Sequence, residues 1–216
     1  MFIIRYIVQH IVIATLCVSS FGVLAQSSLG GLLRAVDDGD LRTVAASLDR
    51  GLDPNTTDAT GNTILMLSAR AGHGELVSLL ISRKADVNRR SPAGDSALMM
   101  AALRGDVDIA RRLVAAGAEV NLTGWAPLHY AAFGGHSEVA GLLLEKGADK
   151  DALAPNGYTP LMLAARGGHV EAARVILHRD PDVKYRSSDG ATAMSVARSK
   201  GMPEVVEMLK RAGAVE

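Results

Sequence analysis

Six histidines are the residues in this chain best suited to chemistry: His10, His73, His129, His136, His169 and His178. Imidazole ligates zinc and moves protons near neutral pH. A metal site needs several ligands converging on one point. His73, His136 and His169 instead recur at one place in a repeating unit, at the break before a helix. Helix layers pack roughly 10 Å apart, so residues a layer apart do not share one ion. Their placement predicts rings bonded to neighbouring loop backbone. His178 stands alone near a helix end, and His10 lies in the apolar N-terminal segment. No metal and no other cofactor is expected. Other catalytic signatures are missing. There is no Gly-x-Ser-x-Gly, no His-Glu-x-x-His, no Gly-Lys-Ser/Thr phosphate loop and no cysteine pair. The sequence reads as non-catalytic. Met66, Met99 and Met162 share the place of His129, where a pliable side chain fills gaps in packing.

One unit of about 33 residues positions all of these groups. Its opening glycines are Gly61, Gly94, Gly124, Gly157 and Gly190, at steps of 33, 30, 33 and 33. Each unit reads as a glycine turn, a short helix, a Gly-Gly or Ala-Gly break and a second helix. The second helix carries an apolar stripe, such as Val139, Leu142, Leu143 and Leu144. A close such as Gly147-Ala148-Asp149 follows. A period of this length marks a solenoid, in which each unit buries its apolar face only by stacking on its neighbours. The expected fold class is an all-α repeat solenoid of about six helix–turn–helix units joined by short β-turn fingers.

The first helices carry small pairs: Ser68-Ala69, Ala101-Ala102, Ala131-Ala132 and Ala164-Ala165. Neighbouring layers can approach closely there. In the last unit Arg198 takes the second place of the pair, so the stack is expected to end at residues 187–216. Residues 26–57 have two helices but no opening turn, the form of an N-terminal cap. Between the caps lie 58–90, 91–120, 121–153 and 154–186. Three residues fewer separate Asn121 from Gly124 than Asn88 from Gly94. The finger there must be short or absent. That is either neutral loop shortening or a notch that exposes Trp125.

Ala126-Pro127-Leu128-His129-Tyr130-Ala131-Ala132, with Gly135-His136 and Glu138-Val139, resembles the ankyrin repeat. Thr159-Pro160-Leu161 with Gly168-His169 and Glu171 is similar to it as well. The resemblance covers about Leu29 to Val215. It implies L-shaped layers of paired antiparallel helices, with fingers at right angles and a concave binding face. By the family register one outward column is Asn62, Asp95, Trp125, Tyr158 and Ala191. A neighbouring column is Arg70, Leu103, Phe133, Arg166 and Ser199, with Arg104 and Lys200 beside it. Arg89 and Arg90 top one finger, Tyr185 and Arg186 another. The expected partner-binding residues are Arg89, Arg90, Asp95, Arg104, Trp125, Phe133, Tyr158 and Arg166. Aromatics flanked by arginine are the composition of interface hot spots. Tyr130 is read as core. Lys84 and Asp180 stand where the family has glycine, and Arg112 holds a usually apolar helix position from which its long side chain snorkels outward.

The 216 residues carry equal numbers of acidic and basic side chains, 23 of each. That balance argues against a partner bound by neutralising many phosphates, so no nucleic acid is expected. Residues 1–25 read as a signal peptide: Arg5, then the apolar run 11–25, then Val23 and Ala25 before a cut at Gln26. The rival reading is an uncleaved N-terminal anchor, and only then is a membrane involved. Cys17 is the only cysteine and would leave with the leader, so no disulfide is expected. The leader and the cysteine-free body point to a bacterial periplasm or to secretion; the alternative is an inner-membrane anchor facing the periplasm. The expected function is non-catalytic capture of another protein on the concave face by a monomer of residues 26–216. Alternatives are an inhibitor, immunity or protective partner of an exported enzyme, or a membrane-tethered scaffold.

Overall fold

The computed structural model describes residues 29–215. The expected leader, its cleavage site and Cys17 lie outside the described residues. Twelve helices pair off along the described chain. They are α1 (29–37), α2 (Leu41–Asp49), α3 (Ile64–Ala71), α4 (Gly74–Ser82), α5 (Ala97–Arg104) and α6 (Val107–Ala115). The second half holds α7 (Pro127–Gly134), α8 (Ser137–Glu145), α9 (Pro160–Gly167), α10 (Val170–Leu177), α11 (Ala193–Ser199) and α12 (Pro203–Arg211). The described residues form no β-sheet, only an isolated antiparallel bridge between Thr57 and Thr63. None of their helices is long and apolar enough to cross a membrane.

The helices stand in two rows. The first helices α3, α5, α7, α9 and α11 pack in series, and so do the second helices α4, α6, α8, α10 and α12. Small residues set the closeness of the first row. Ser68, Ala69, Ala101, Ala102, Ala131, Ala132, Ala164 and Ala165 are all completely buried. The first row packs more closely than the second, and it is called the inner row after the family register given above. At Arg198 the side chain is exposed, where the same place in earlier units is covered by the next layer.

Local signals start and stop each helix. The side chains of Thr63, Ser96, Thr159 and Thr192 accept the backbone N–H three residues on, capping α3, α5, α9 and α11. The fingers also repeat. Asp58 N–H donates to Asn62 O, Ser91 N–H to Asp95 O, Ala154 N–H to Tyr158 O and Ser187 N–H to Ala191 O, at 2.9–3.0 Å. No such bond closes the shortened segment 121–125. Lys84 and Asp180 take left-handed backbone, with φ of 66° and 51°. Met66, Met99 and Met162 are buried in the first row, as their spacing predicts.

Candidate protein-binding face

Layers are tied by polar bonds that recur with the repeat. His73 Nε2–H donates to Asp37 O at 2.7 Å, His136 to Leu103 O at 3.0 Å and His169 to Phe133 O at 2.9 Å. These are the ring-to-backbone bonds that the spacing predicts, and each joins a layer to the one before it. Each ring also covers a glycine of the preceding layer: Gly39, Gly105 or Gly135. A Cβ on Gly105 would collide with the His136 ring, and the left-handed φ of 82° is itself unsuited to other residues. In the third unit Asp106 replaces histidine. Its carboxylate caps α6 by accepting from Ile109 N–H at 2.9 Å, so it offers the preceding layer nothing. Arg104 does that work. Its guanidinium lies over Gly72 and donates to Arg70 O at 3.3 Å.

A second ladder runs along the close of each unit. Asn55, Asn88, Asn121 and Asp151 each accept, at 2.8 Å, from a backbone N–H about one repeat further along the chain. Asn88 and Asn121 also donate to Gly117 O and Gly147 O. Sequence reasoning passed over this ladder, although the 33-residue spacing of the three asparagines was its signal.

The fourth unit departs from its neighbours. Ala126 has no side-chain oxygen to cap α7. His129, completely buried, bonds the N-terminus in the reverse sense: Ala126 N–H donates to its Nδ1 at 2.9 Å. Its Nε2–H then donates to Ala152 O at 3.0 Å, tying α7 to the next finger. The ring is therefore the neutral Nε2–H tautomer. Burial pushes its pKa below the usual imidazole value. Trp125 packs edge-on to His129 and tilted against Tyr130, with ring centroids 5.7 Å apart in both cases. Tyr130 is half-buried rather than core, a correction to its reading above. Its hydroxyl donates to Asp95 Oδ1 at 2.9 Å, and burial together with Asp95 pushes its pKa up to about 12.

The expected binding residues divide accordingly. Asp95, Trp125 and Tyr158 are half-buried. Asp95 already accepts from Tyr130, and Trp125 and Tyr158 pack against the core. Arg90 is exposed but folds its Nε–H onto Gly94 O at 2.8 Å, while Arg104 bridges α5 to α3. Arg89, Phe133 and Arg166 are exposed. The structure thus joins Asp95 to the cluster around Trp125, and places Phe133 at the other end of α7 in a separate column. Phe133, at 52% exposure, and Leu103, at 40%, stand in successive helices of the inner row, with Arg70 and Arg166 in the flanking ones. The backbone carbonyls of Arg70, Leu103 and Phe133 are all held by the following layer. A family model for ankyrin repeats matches residues 32–124, 83–154 and 128–215.

The chain belongs to the ankyrin-repeat family.

Ankyrin repeats generally serve as protein–protein interaction modules. The comparison with curated proteins gives no match. Arg70, Leu103, Phe133 and Arg166 form an exposed column along the first helices α3, α5, α7 and α9. Beside it a shallow depression of about 290 Å³ is lined by Leu33, Arg34, Asp37, Asp58, Leu67 and Arg70. Among the described residues no group of three or more His, Cys, Asp or Glu is placed to hold a metal ion.

Proposed function

We propose that this ankyrin protein is exported and captures a protein partner in the periplasm, on the inner row of helices. The exposed Leu103–Phe133 pair carries the reading. Large apolar side chains at half exposure, on a backbone fixed by interlayer bonds, are preorganised for docking and lose little freedom when covered. The half-buried cluster of Trp125, Tyr130 and Asp95 supports α7 from its other end. The apolar N-terminal run with Val23 and Ala25 before Gln26 supports export.

The test compares substitutions on the two sides of the stack. Phe133→Ala and Leu103→Ala are expected to weaken partner recovery from native extract by more than tenfold, the order of a hot spot. Glu145→Ala on the outer row is expected to leave recovery unchanged. Equal recovery by all three variants would remove the inner row from the site. The N-terminal residue of the protein recovered from cells tests export: Gln26 marks a processed, released protein, whereas Met1 marks a retained leader.

A further inference from the structure

The exposed side chains of α3, α5, α7, α9 and α11 are Arg70, Leu103, Arg104, Phe133, Arg166, Arg198 and Ser199. None is acidic. The second helices differ: Glu75, Asp108, Glu138, Glu145, Glu171, Glu204 and Glu207 are all exposed there. From α3 onward the first row is therefore basic, while the second row carries both signs, with Arg111, Arg112, Arg174, Lys210 and Arg211 exposed there as well. The helix dipole favours arginine in a last turn by a few tenths of a kcal/mol. It acts on both rows alike, since bases also close α6, α10 and α12 and cap α4 and α8, so it does not explain why α3 to α11 of the first row expose no acid. Arg83–Asp49, Arg174–Glu171 and Lys210–Glu207 are ion pairs within the second row or at its helix ends. Arg70 and Arg166 flank the apolar pair with no carboxylate bonded to either guanidinium.

We infer that the partner segment is acidic and carries a bulky apolar side chain, which seats on Leu103 and Phe133 while its carboxylates meet Arg70 and Arg166. The inference rests on the reading of the inner row as the docking face and adds the chemistry of what docks. Guanidinium groups bind carboxylates in a bidentate fork, and like charge on a competing partner is repelled. A protein segment is favoured over nucleic acid because two apolar side chains, not a continuous basic track, occupy the centre of the strip.

The experiment selects displayed random 12-residue peptides on the protein, expressed from its full sequence and purified as the cell processes it. Affinities of selected peptides are read from the fluorescence anisotropy of the dye-labelled peptide. The expected pool is enriched in Asp and Glu together with Phe, Trp, Leu or Ile. Its binding should fall at least tenfold in Phe133→Ala and in the Arg70→Glu/Arg166→Glu double variant, and should weaken with added salt. If the double variant fails to melt cooperatively, Arg70→Gln/Arg166→Gln replaces it. A pool that depends on Phe133 but shows no acidic enrichment overturns the inference and leaves the docking face standing. A pool indifferent to Phe133, or no enriched pool, overturns both. Equal affinity for an oligothymidylate would also overturn the acidic-segment inference, in favour of a polyanion site.

Discussion

The inner and outer rows of helices are built from the same repeat and do different jobs. The outer row mixes both signs of charge and pairs several of them. Arg83 bonds Asp49 at 2.6 Å, and Arg112 reaches from α6 to the Ser78 hydroxyl of α4. The inner row buries alanine where layers meet and leaves Leu103, Phe133, Arg70 and Arg166 facing outward. Stacking satisfies the backbone of that row through His73, Arg104, His136 and His169, but not the side chains above it. A solenoid divides the labour this way because nearest-neighbour stacking uses only the flat faces of each layer, and the edges stay free for binding.

The largest break in this contrast comes from putting on a covered layer face the charge that α11 leaves exposed at Arg198. Ala165→Arg places a charge where α9 meets its neighbours, and is expected to cost more than about 4 kcal/mol. Arg198→Ala at the same place of the last unit should change stability by less than about 1 kcal/mol. Urea unfolding of both variants checks the pair.

His129→Leu should cost about 2–4 kcal/mol, because it leaves Ala126 N–H and Ala152 O without partners. The same residue gives a pH dependence. The folded protein keeps His129 neutral below its ordinary value of 6.5, while the unfolded chain takes up the proton. Stability is therefore full above about pH 6.5 and falls as pH drops through that value, by at most about 1.4 kcal/mol per unit for one site. His129→Gln, which keeps a donor and an acceptor without titrating, should flatten that part of a melting-temperature profile between pH 7.5 and 5.5.

Lys84→Gly relieves a left-handed backbone and should stabilise by about 1 kcal/mol, measured by thermal unfolding. Arg83→Ala breaks a solvent-exposed ion pair of the outer row and should cost about 0.5 kcal/mol or less. A loss above about 2 kcal/mol would mean that the outer charges do more than keep the surface polar.

Most of the architecture was legible because glycine and alanine recur with the layer. The alanine pairs marked where helices touch, and the histidines marked ring-to-backbone ties. The shortened segment before Trp125 was readable from the count of residues between Asn121 and Gly124. The binding residues were less legible, because the register of a repeat says which way a side chain points and not what already occupies it. Asp95 reads as outward and is engaged by Tyr130, which reads as core. Arg104 reads as a free cation and stands in for a missing histidine, a role visible only once Asp106 is seen to cap its own helix. Leu103 and Arg70 stood in a named column but gained weight only when their exposure and their neighbours were known.

The central claim is that partners meet the inner row and not the outer one. A photo-crosslinking amino acid placed in turn at positions 103, 133, 145 and 174, followed by irradiation of living cells, tests it most directly. Discrete protein adducts at 103 and 133, with none at 145 and 174, are the predicted result. Adducts of equal yield at all four positions, or only at 145 and 174, would contradict it.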